Sequence, residues 1–203
     1  MSTELTRRER KKIESRDRIV DCATALFVSR GYDATTMEDI GECADVSRAT
    51  VFNYFPRKED LVLAWFDDRR TDLAAVLAAE RDVASGTSAV LRMAFRTIAR
   101  FFEDDPETGR GMVRSWLQAG GPLLTPGSDT TLMFAAAIRA GQDNGHIAKD
   151  ADPDHAAQIL FDAYQGELIR WATAQDKPSD LEHRLFETLD LILGGITAQQ
   201  SPG

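Results

Sequence analysis

The sequence predicts an all-α protein of about nine helices, and three observations carry that expectation. Apolar residues recur at three- and four-residue spacings in segment after segment. No run alternates as a half-buried strand would. Glycine, proline and short polar side chains punctuate the chain at helical lengths.

The elements follow in order. A first helix is expected from Arg10 to Arg30, with Ile13, Val20, Ala23 and Phe27 on one face and Gly31 as its stop. Residues 1–9 are polar and expected to fray. Thr36 with Asp39 three residues on resembles a capping box, and Met37, Ile40 and Ala44 form the buried stripe of a short helix. Asp45-Val46-Ser47 breaks the chain, and Ser47 caps a second short helix that ends before Pro56. A long helix runs from Lys58 to about Val83, with Leu61, Trp65, Leu73, Val76 and Leu77 on its apolar side. After Ser85-Gly86-Thr87 comes a helix at about 88–103, carrying Val90, Leu91, Phe95, Ile98 and Phe102. Asp104-Asp105-Pro106 precedes another that ends near Gly120-Gly121-Pro122. Three more are expected at about 129–143, 154–174 and 180–198, divided by Asn144-Gly145, Asp152-Pro153 and Pro178-Ser179. The Gly/Pro-rich stretch 120–127 is expected to be mobile.

Composition narrows the function. Hydrophobic content of 43% and charged content of 28% are ordinary for a soluble globular chain of 203 residues. No apolar stretch reaches membrane-spanning length and no leader opens the chain, so a cytoplasmic protein without membrane contact is expected. Cys22 and Cys43 cannot make a disulfide framework and lack zinc-site spacing. They read as buried thiols, with a redox sensor as the alternative. The net charge of −9 is unevenly spread. Residues 1–60 hold 11 Lys+Arg against 12 Asp+Glu, whereas 61–203 hold 13 against 21. The first 18 residues are net +3, from Arg7, Arg8, Arg10, Lys11, Lys12, Arg16 and Arg18 against four acids. Phosphate binding depends on local potential, because salt screens each charge beyond about 10 Å at 0.1 M. An acidic body therefore leaves room for a DNA-binding end.

Two short helices joined by a tight turn are a device for laying the second into the DNA major groove. The stretch around them resembles the tetracycline-repressor (TetR) family of bacterial regulators. The resemblance rests on Ala25-Leu26-Phe27, Gly31-Tyr32-Asp33-Ala34-Thr35-Thr36, Ile40, Ala44, Val46-Ser47, Tyr54-Phe55-Pro56 and Lys58-Glu59-Asp60-Leu61. It covers roughly residues 12–62. It implies a DNA-binding part at 1–57 and a helical effector-binding and dimerisation part at 58–203. The last two helices of that second part would pair with those of a second copy.

Under that resemblance the recognition helix runs from Arg48 to Tyr54. Ser47 caps it, and N–H groups at its positive end can bind a phosphate. Arg48 can form two hydrogen bonds to a guanine edge, and Ala49 leaves room for a thymine methyl. Thr50 and Asn53 can bond a base or a phosphate. Tyr54 and Lys58 would grip the backbone, with Thr36 anchoring from the helix before. Val51 and Phe55 face the head's own core. Three residues depart from the family pattern. Asp45 stands where glycine is usual and must tolerate a left-handed backbone. Phe52, among the DNA-facing residues, replaces a common tyrosine and loses a phosphate bond. Arg57 replaces a small cap before the long helix. The basic N-terminal run either tracks the DNA backbone or is a solvated tail.

The body offers less. Phe95, Phe102, Met112, Trp116, Phe134, Phe161 and Tyr164 fall at core spacing, and Met112, Trp116, Phe134 and Tyr164 are the candidates for an apolar ligand pocket. In the last two helices Leu160, Ala163, Leu168, Trp171, Leu189 and Ile192 are the candidate dimer interface, where Gly166 allows close approach. His146, His155 and His183 are isolated, and a surface or capping role outweighs a metal site at His155 with Asp152 or Asp154. No catalytic constellation, metal site or cofactor motif is apparent.

The expected function is a homodimeric repressor of a palindromic operator in double-stranded DNA, released by a small apolar or amphipathic ligand. The alternatives are an effector-independent regulator or helical protein-interaction module and, less compatibly with these residues, an enzyme.

Overall fold

The computed structural model describes residues 6–79, 86–121, 129–174 and 180–196. Within them the chain forms α1 (Arg7–Arg30), α2 (Met37–Cys43), α3 (Arg48–Tyr54), α4 (Lys58–Ala79), α5 (Thr87–Glu103), α6 (Pro106–Gln118), α7 (Asp129–Asp143), α8 (Pro153–Thr173) and α9 (Leu181–Ile196). The described residues hold nine helices and no β-sheet, as expected. The Ser85 and Pro178-Ser179 breaks, most of the 120–127 stretch and the side chains of Val76 and Leu77 fall outside the described residues.

The start of α1 corrects the sequence reading. The helix begins at Arg7, three residues before Arg10, because Thr6 and Glu9 form a reciprocal capping box. Glu9 accepts the Thr6 N–H at 2.7 Å while the Thr6 hydroxyl accepts the Glu9 N–H at 3.3 Å. Ile13 is not on the buried face; it is 45% exposed, and the stripe is made by Ile19, Val20, Ala23 and Phe27. All of residues 6–14 are exposed, so Ile13 lies on a part of α1 that the described residues leave open. Gly31 ends the helix as expected, at φ 92°, a value that side chains disfavour.

The chain divides into two compact units, Met1–Asp68 with Glu107–Gly121 and Arg69–Pro106 with Pro122–Gly203. In the first, Ile19, Phe27, Ile40, Val51, Leu61, Trp65, Met112 and Val113 make the buried core. α6 belongs to this unit. A Cβ on Gly111 would come within 2.8 Å of Val28 Cγ2, so only glycine permits this approach of α6 to α1. Trp116 and Phe66 meet at 5.9 Å between ring centroids, and Gln118 Nε2 donates to Asp33 Oδ2 at 3.3 Å.

The second unit is built from the end of α4 with α5, α7, α8 and α9. Phe95 stacks on Phe134 at 5.5 Å, and Tyr164 meets the edge of Phe95 at 6.4 Å and Phe161 at 6.0 Å. Leu91, Ile98, Ile138, Leu160, Leu181 and Leu185 complete its interior, each contributing on the order of 1.5–3 kcal/mol of burial. Asp152 caps α8, accepting the N–H groups of Asp154 and His155 at 3.0 and 3.3 Å. Among the described residues no cluster of His, Cys, Asp and Glu could hold a metal ion.

A buried carboxylate ties α8 to α9. Glu167, its side chain 7% exposed, accepts from Arg170 Nη2 at 2.6 Å, Arg184 Nε at 2.9 Å and the Thr188 hydroxyl at 3.3 Å. Burial alone would raise its pKa; the hydrogen bonds and charges of Arg170 and Arg184 outweigh that and hold it below the usual carboxylate value. A carboxyl depressed on folding stabilises the native state above its unfolded pKa of about 4.3 and loses that contribution as pH falls through the folded value. Glu167→Gln should therefore cost about 1–2 kcal/mol at pH 7. In urea titrations at a series of pH values the penalty should shrink below about pH 4.3.

Candidate nucleic-acid interface

The turn between α2 and α3 sets the direction of the recognition helix. Gly41 sits on the inner side of α2, where a Cβ would come within 3.0 Å of the Val46 carbonyl oxygen and 3.4 Å of Val51 Cγ2. Its own carbonyl accepts the Val46 N–H at 2.9 Å, and Glu42 accepts the Asp45 N–H at 3.3 Å. Asp45 adopts φ 52°, the left-handed conformation expected of it. Ser47 then caps α3, accepting the Thr50 N–H at 3.1 Å. Val51 and Phe55 are buried, as expected for residues that seat α3 on the head.

The opposite face is open. Ser47, Arg48, Ala49, Phe52 and Asn53 are exposed, and Thr50 and Tyr54 are half-buried. Arg48 is not idle: its Nε pairs with Glu38 of α2 at 2.7 Å, and its guanidinium lies 5.2 Å from the centroid of the Phe52 ring. Nucleic acid would have to draw Arg48 away from Glu38. Thr36 is exposed, yet its hydroxyl and N–H both donate to Asp39, at 2.7 and 2.8 Å. Those bonds hold the Asp39 carboxyl below its usual pKa. Lys58 Nζ donates to the carbonyls of Tyr32 at 2.7 Å and Thr35 at 3.0 Å, which leaves one N–H of the ammonium uncommitted. It also sits 4.1 Å from the Tyr32 ring centroid. Arg57 enters α4 through the acid at the third helical position, its N–H donating to Asp60 at 2.9 Å and its Nη2 at 2.7 Å.

One feature sharpens the reading of the basic N-terminal run, and a second was missed by the sequence reading. Arg8, Lys11, Lys12 and Ser15 of α1 line a groove with Asn53 and Tyr54 at the end of α3. Arg8 lies three and four residues before Lys11 and Lys12, which lie four and three before Ser15, so these residues share one helical face of α1. The second feature is the cysteine pair. Cys22 and Cys43 are not two separate buried thiols: they are bonded to each other across α1 and α2, with Cα atoms 5.8 Å apart. Cys43 is exposed and Cys22 half-buried. A sequence separation of 21 carries no information about that proximity.

The ligand and dimer candidates are distributed as follows. Met112 and Trp116 are buried on α6 in the first unit; Phe134, fully buried, and Tyr164, half-buried, share Phe95 in the second. Burial pushes the Tyr164 phenol pKa up. Leu160, Leu168, Trp171 and Leu189 are buried within the single chain, while Ala163 and Ile192 are half-exposed. The exposed large apolar residues of these helices are Ile159, at 43%, and Leu191, at 80%.

Comparison with known proteins agrees with this geometry. Residues 19–65 match the model for bacterial regulatory proteins of the tetR family. Along most of its length the chain is 27% identical to the HTH-type transcriptional repressor KstR of Mycolicibacterium smegmatis, covering 89% of this chain and 88% of the relative. It is also 27% identical to the HTH-type transcriptional regulator TtgR of Pseudomonas putida, over 88% of this chain and 91% of that one. Among solved structures it is similar to Thermus thermophilus FadR, a TetR-family transcriptional repressor in complex with lauroyl-CoA. The TM-score is 0.72 and the identity 26%, with 93% of this chain and 98% of that chain covered.

The turn yields a direct test. A β-branched residue cannot hold φ 52° without a steric penalty, so Asp45→Val should destabilise the protein by about 1–2 kcal/mol. Asp45→Gly should be neutral or better. Chemical denaturation of the two variants measures the difference.

Proposed function

The chain belongs to the tetR family of bacterial regulatory proteins, DNA-binding regulators rather than enzymes, and on that footing we propose that it is a homodimeric repressor released by a small amphipathic ligand. The observation that carries the DNA reading is the open face of α3 beside the basic groove of α1. Arg48, Ala49, Thr50 and Asn53 are the residues assigned to base edges, with Phe52 stacked on Arg48 rather than bonded to phosphate. Arg8, Lys11 and Lys12 with Tyr54 are assigned to the phosphate backbone. Thr36, Ser47 and Lys58 serve chiefly to position the two helices, since their polar atoms are largely engaged within the head. No described helix is long and apolar enough to cross a membrane, and the proposed site of action is the cytoplasm, where the operator is.

For the dimer, the supporting observation is the exposure of Ile159 and Leu191, with half-exposed Ala163 one turn after Ile159 and Ile192 next to Leu191. A second copy would cover those residues, and two recognition helices about 34 Å apart would match successive turns of a palindromic site. For the ligand, support comes from the aromatic cluster of Phe95, Phe134, Phe161 and Tyr164, an apolar surround with one phenol. The bound lauroyl-CoA of the FadR structure is an amphipathic molecule of the kind proposed. Arg70 of α4 acts electrostatically on Tyr164. A ligand that displaces the Tyr164 phenol would change the electrostatic surroundings of Arg70 on α4. A coupling of roughly 1–3 kcal/mol would suffice for release.

Two measurements test these assignments on DNA selected for binding from a random library. Arg48→Ala should relax preference at one base pair in each half-site, by about 1–3 kcal/mol. The double variant Lys11→Ala, Lys12→Ala should weaken all sequences alike and lower the salt slope of binding by about 2. Unchanged base preference in the first variant would remove Arg48 from the reading face. Fatty acyl-CoA esters titrated against the complex should lower DNA affinity at least fivefold, and Tyr164→Ala should reduce that response while leaving ligand-free DNA binding intact. A complex indifferent to acyl-CoA esters would exclude this ligand class.

A further inference from the structure

We infer that Cys22 and Cys43 form a reversible redox site that staples the DNA-reading head by thiol–disulfide exchange. The two residues lie on different helices, α1 and α2, and the fold holds their Cα atoms 5.8 Å apart, within the range a disulfide spans without backbone movement. No second thiol pair competes, because these are the only cysteines in the chain. Cys43 is an exposed residue and Cys22 a half-buried one, so the bridge joins helices at the surface of the head, within reach of small thiols and disulfides. A protein that binds chromosomal DNA works in a reducing compartment, where protein disulfides are characteristically transient or sensing rather than permanent. Accessibility and compartment together make this a switchable bond.

The exchange balances as two steps. The exposed Cys43 thiolate attacks a low-molecular-weight disulfide, forming a mixed disulfide and releasing one small thiolate. The Cys22 thiolate, held beside it, attacks Cys43 Sγ and expels the second. The two protein thiols lose two electrons, which reduce one small disulfide to two thiols, and the two protein protons go to the released thiolates. Excess small thiol reverses both steps.

The position of the bond gives it a consequence. Cys43 is the last residue of α2, two residues before Asp45 and four before the Ser47 cap. Pinning it to α1 anchors the near side of the turn that aims α3. The bridged state keeps that turn and cap formed, so closure consolidates the head rather than deforming it. The effect on DNA and the reducing compartment rest on the DNA-binding reading; the proximity of the two cysteines and the exposure of Cys43 do not.

The test uses the full chain in glutathione redox buffers, followed by alkylation and mass spectrometry, thermal melting and DNA titration. Under oxidising buffer the expected product is one species lacking two hydrogens, closed to alkylation and free of glutathione. It should melt about 5 °C or more above the reduced form. Cys22→Ser should instead keep a glutathione adduct on Cys43, and both Cys22→Ser and Cys43→Ser should lose the redox-dependent melting shift. Two alkylatable thiols after oxidation, a persistent adduct on the unsubstituted chain, or a melt that does not move would overturn the inference. Oxidised protein that binds selected DNA more weakly than reduced protein would overturn the consolidating role. If neither form binds DNA while the melting shift persists, the DNA-binding reading fails and the redox site stands.

Discussion

The turn from Gly41 to Ser47 is the constraint on which the DNA-reading head depends. A carbonyl at Gly41 takes the Val46 N–H, Asp45 accepts a left-handed backbone, and Ser47 starts the next helix with its own side chain. Each of the three is a local backbone requirement, and together they leave one direction for α3. Val51 and Phe55 then bury one side of that seven-residue helix, so the other side must face outward. A helix this short has little stability alone. Its orientation comes from the cap, the turn and the buried side chains rather than from helix propensity.

Electrostatics act at the same short range. A chain of net charge −9 presents Arg8, Lys11 and Lys12 along one groove next to Asn53 and Tyr54. Other basic residues of the head are engaged internally: Arg16 with Asp68 at 3.2 Å, Arg57 with Asp60 at 2.7 Å, and Lys58 with two carbonyls. The distinction is physical rather than compositional. A lysine whose ammonium already donates to buried-side carbonyls has less to offer a phosphate than one on an open helical face. Arg48 stands between these cases, because its partner Glu38 is itself exposed and the pair is readily exchanged.

In the second unit the interior is mostly close packing of aromatic and aliphatic side chains, and two carboxylates tie its helices together. Glu167 fixes the pairing of α8 and α9, and Glu103 accepts the Leu181 N–H at the start of α9 at 2.6 Å. Carboxylates hydrogen-bonded in this way, Glu167 buried and Glu103 half-buried, specify where helices meet, because their donors must arrive at set positions. The dimer reading changes emphasis accordingly. Leu160, Leu168, Trp171 and Leu189 serve the chain's own core, and the residues left for a second copy are Ile159 and Leu191, with Ala163 and Ile192 at the margin.

By itself the sequence determined the fold class, the boundaries of α2 and α3, the left-handed Asp45 and the core-facing Val51 and Phe55. The fold class and the boundaries of α2 and α3 follow from caps, breaks and periodicity, which are written in consecutive letters, whereas the left-handed Asp45 and the core-facing Val51 and Phe55 came with the resemblance to the TetR family. The early start of α1 is equally legible in the Thr6–Glu9 capping pair, although the polar, charged character of residues 1–9 points to fraying. Only the tertiary structure could decide that Cys22 meets Cys43, that Glu38 holds Arg48, and that Lys58 turns back onto Tyr32 and Thr35. It alone could also place α6 with the first compact unit. Each of these joins residues ten or more positions apart, and the distance between such residues is set by how whole helices pack, which no local pattern encodes.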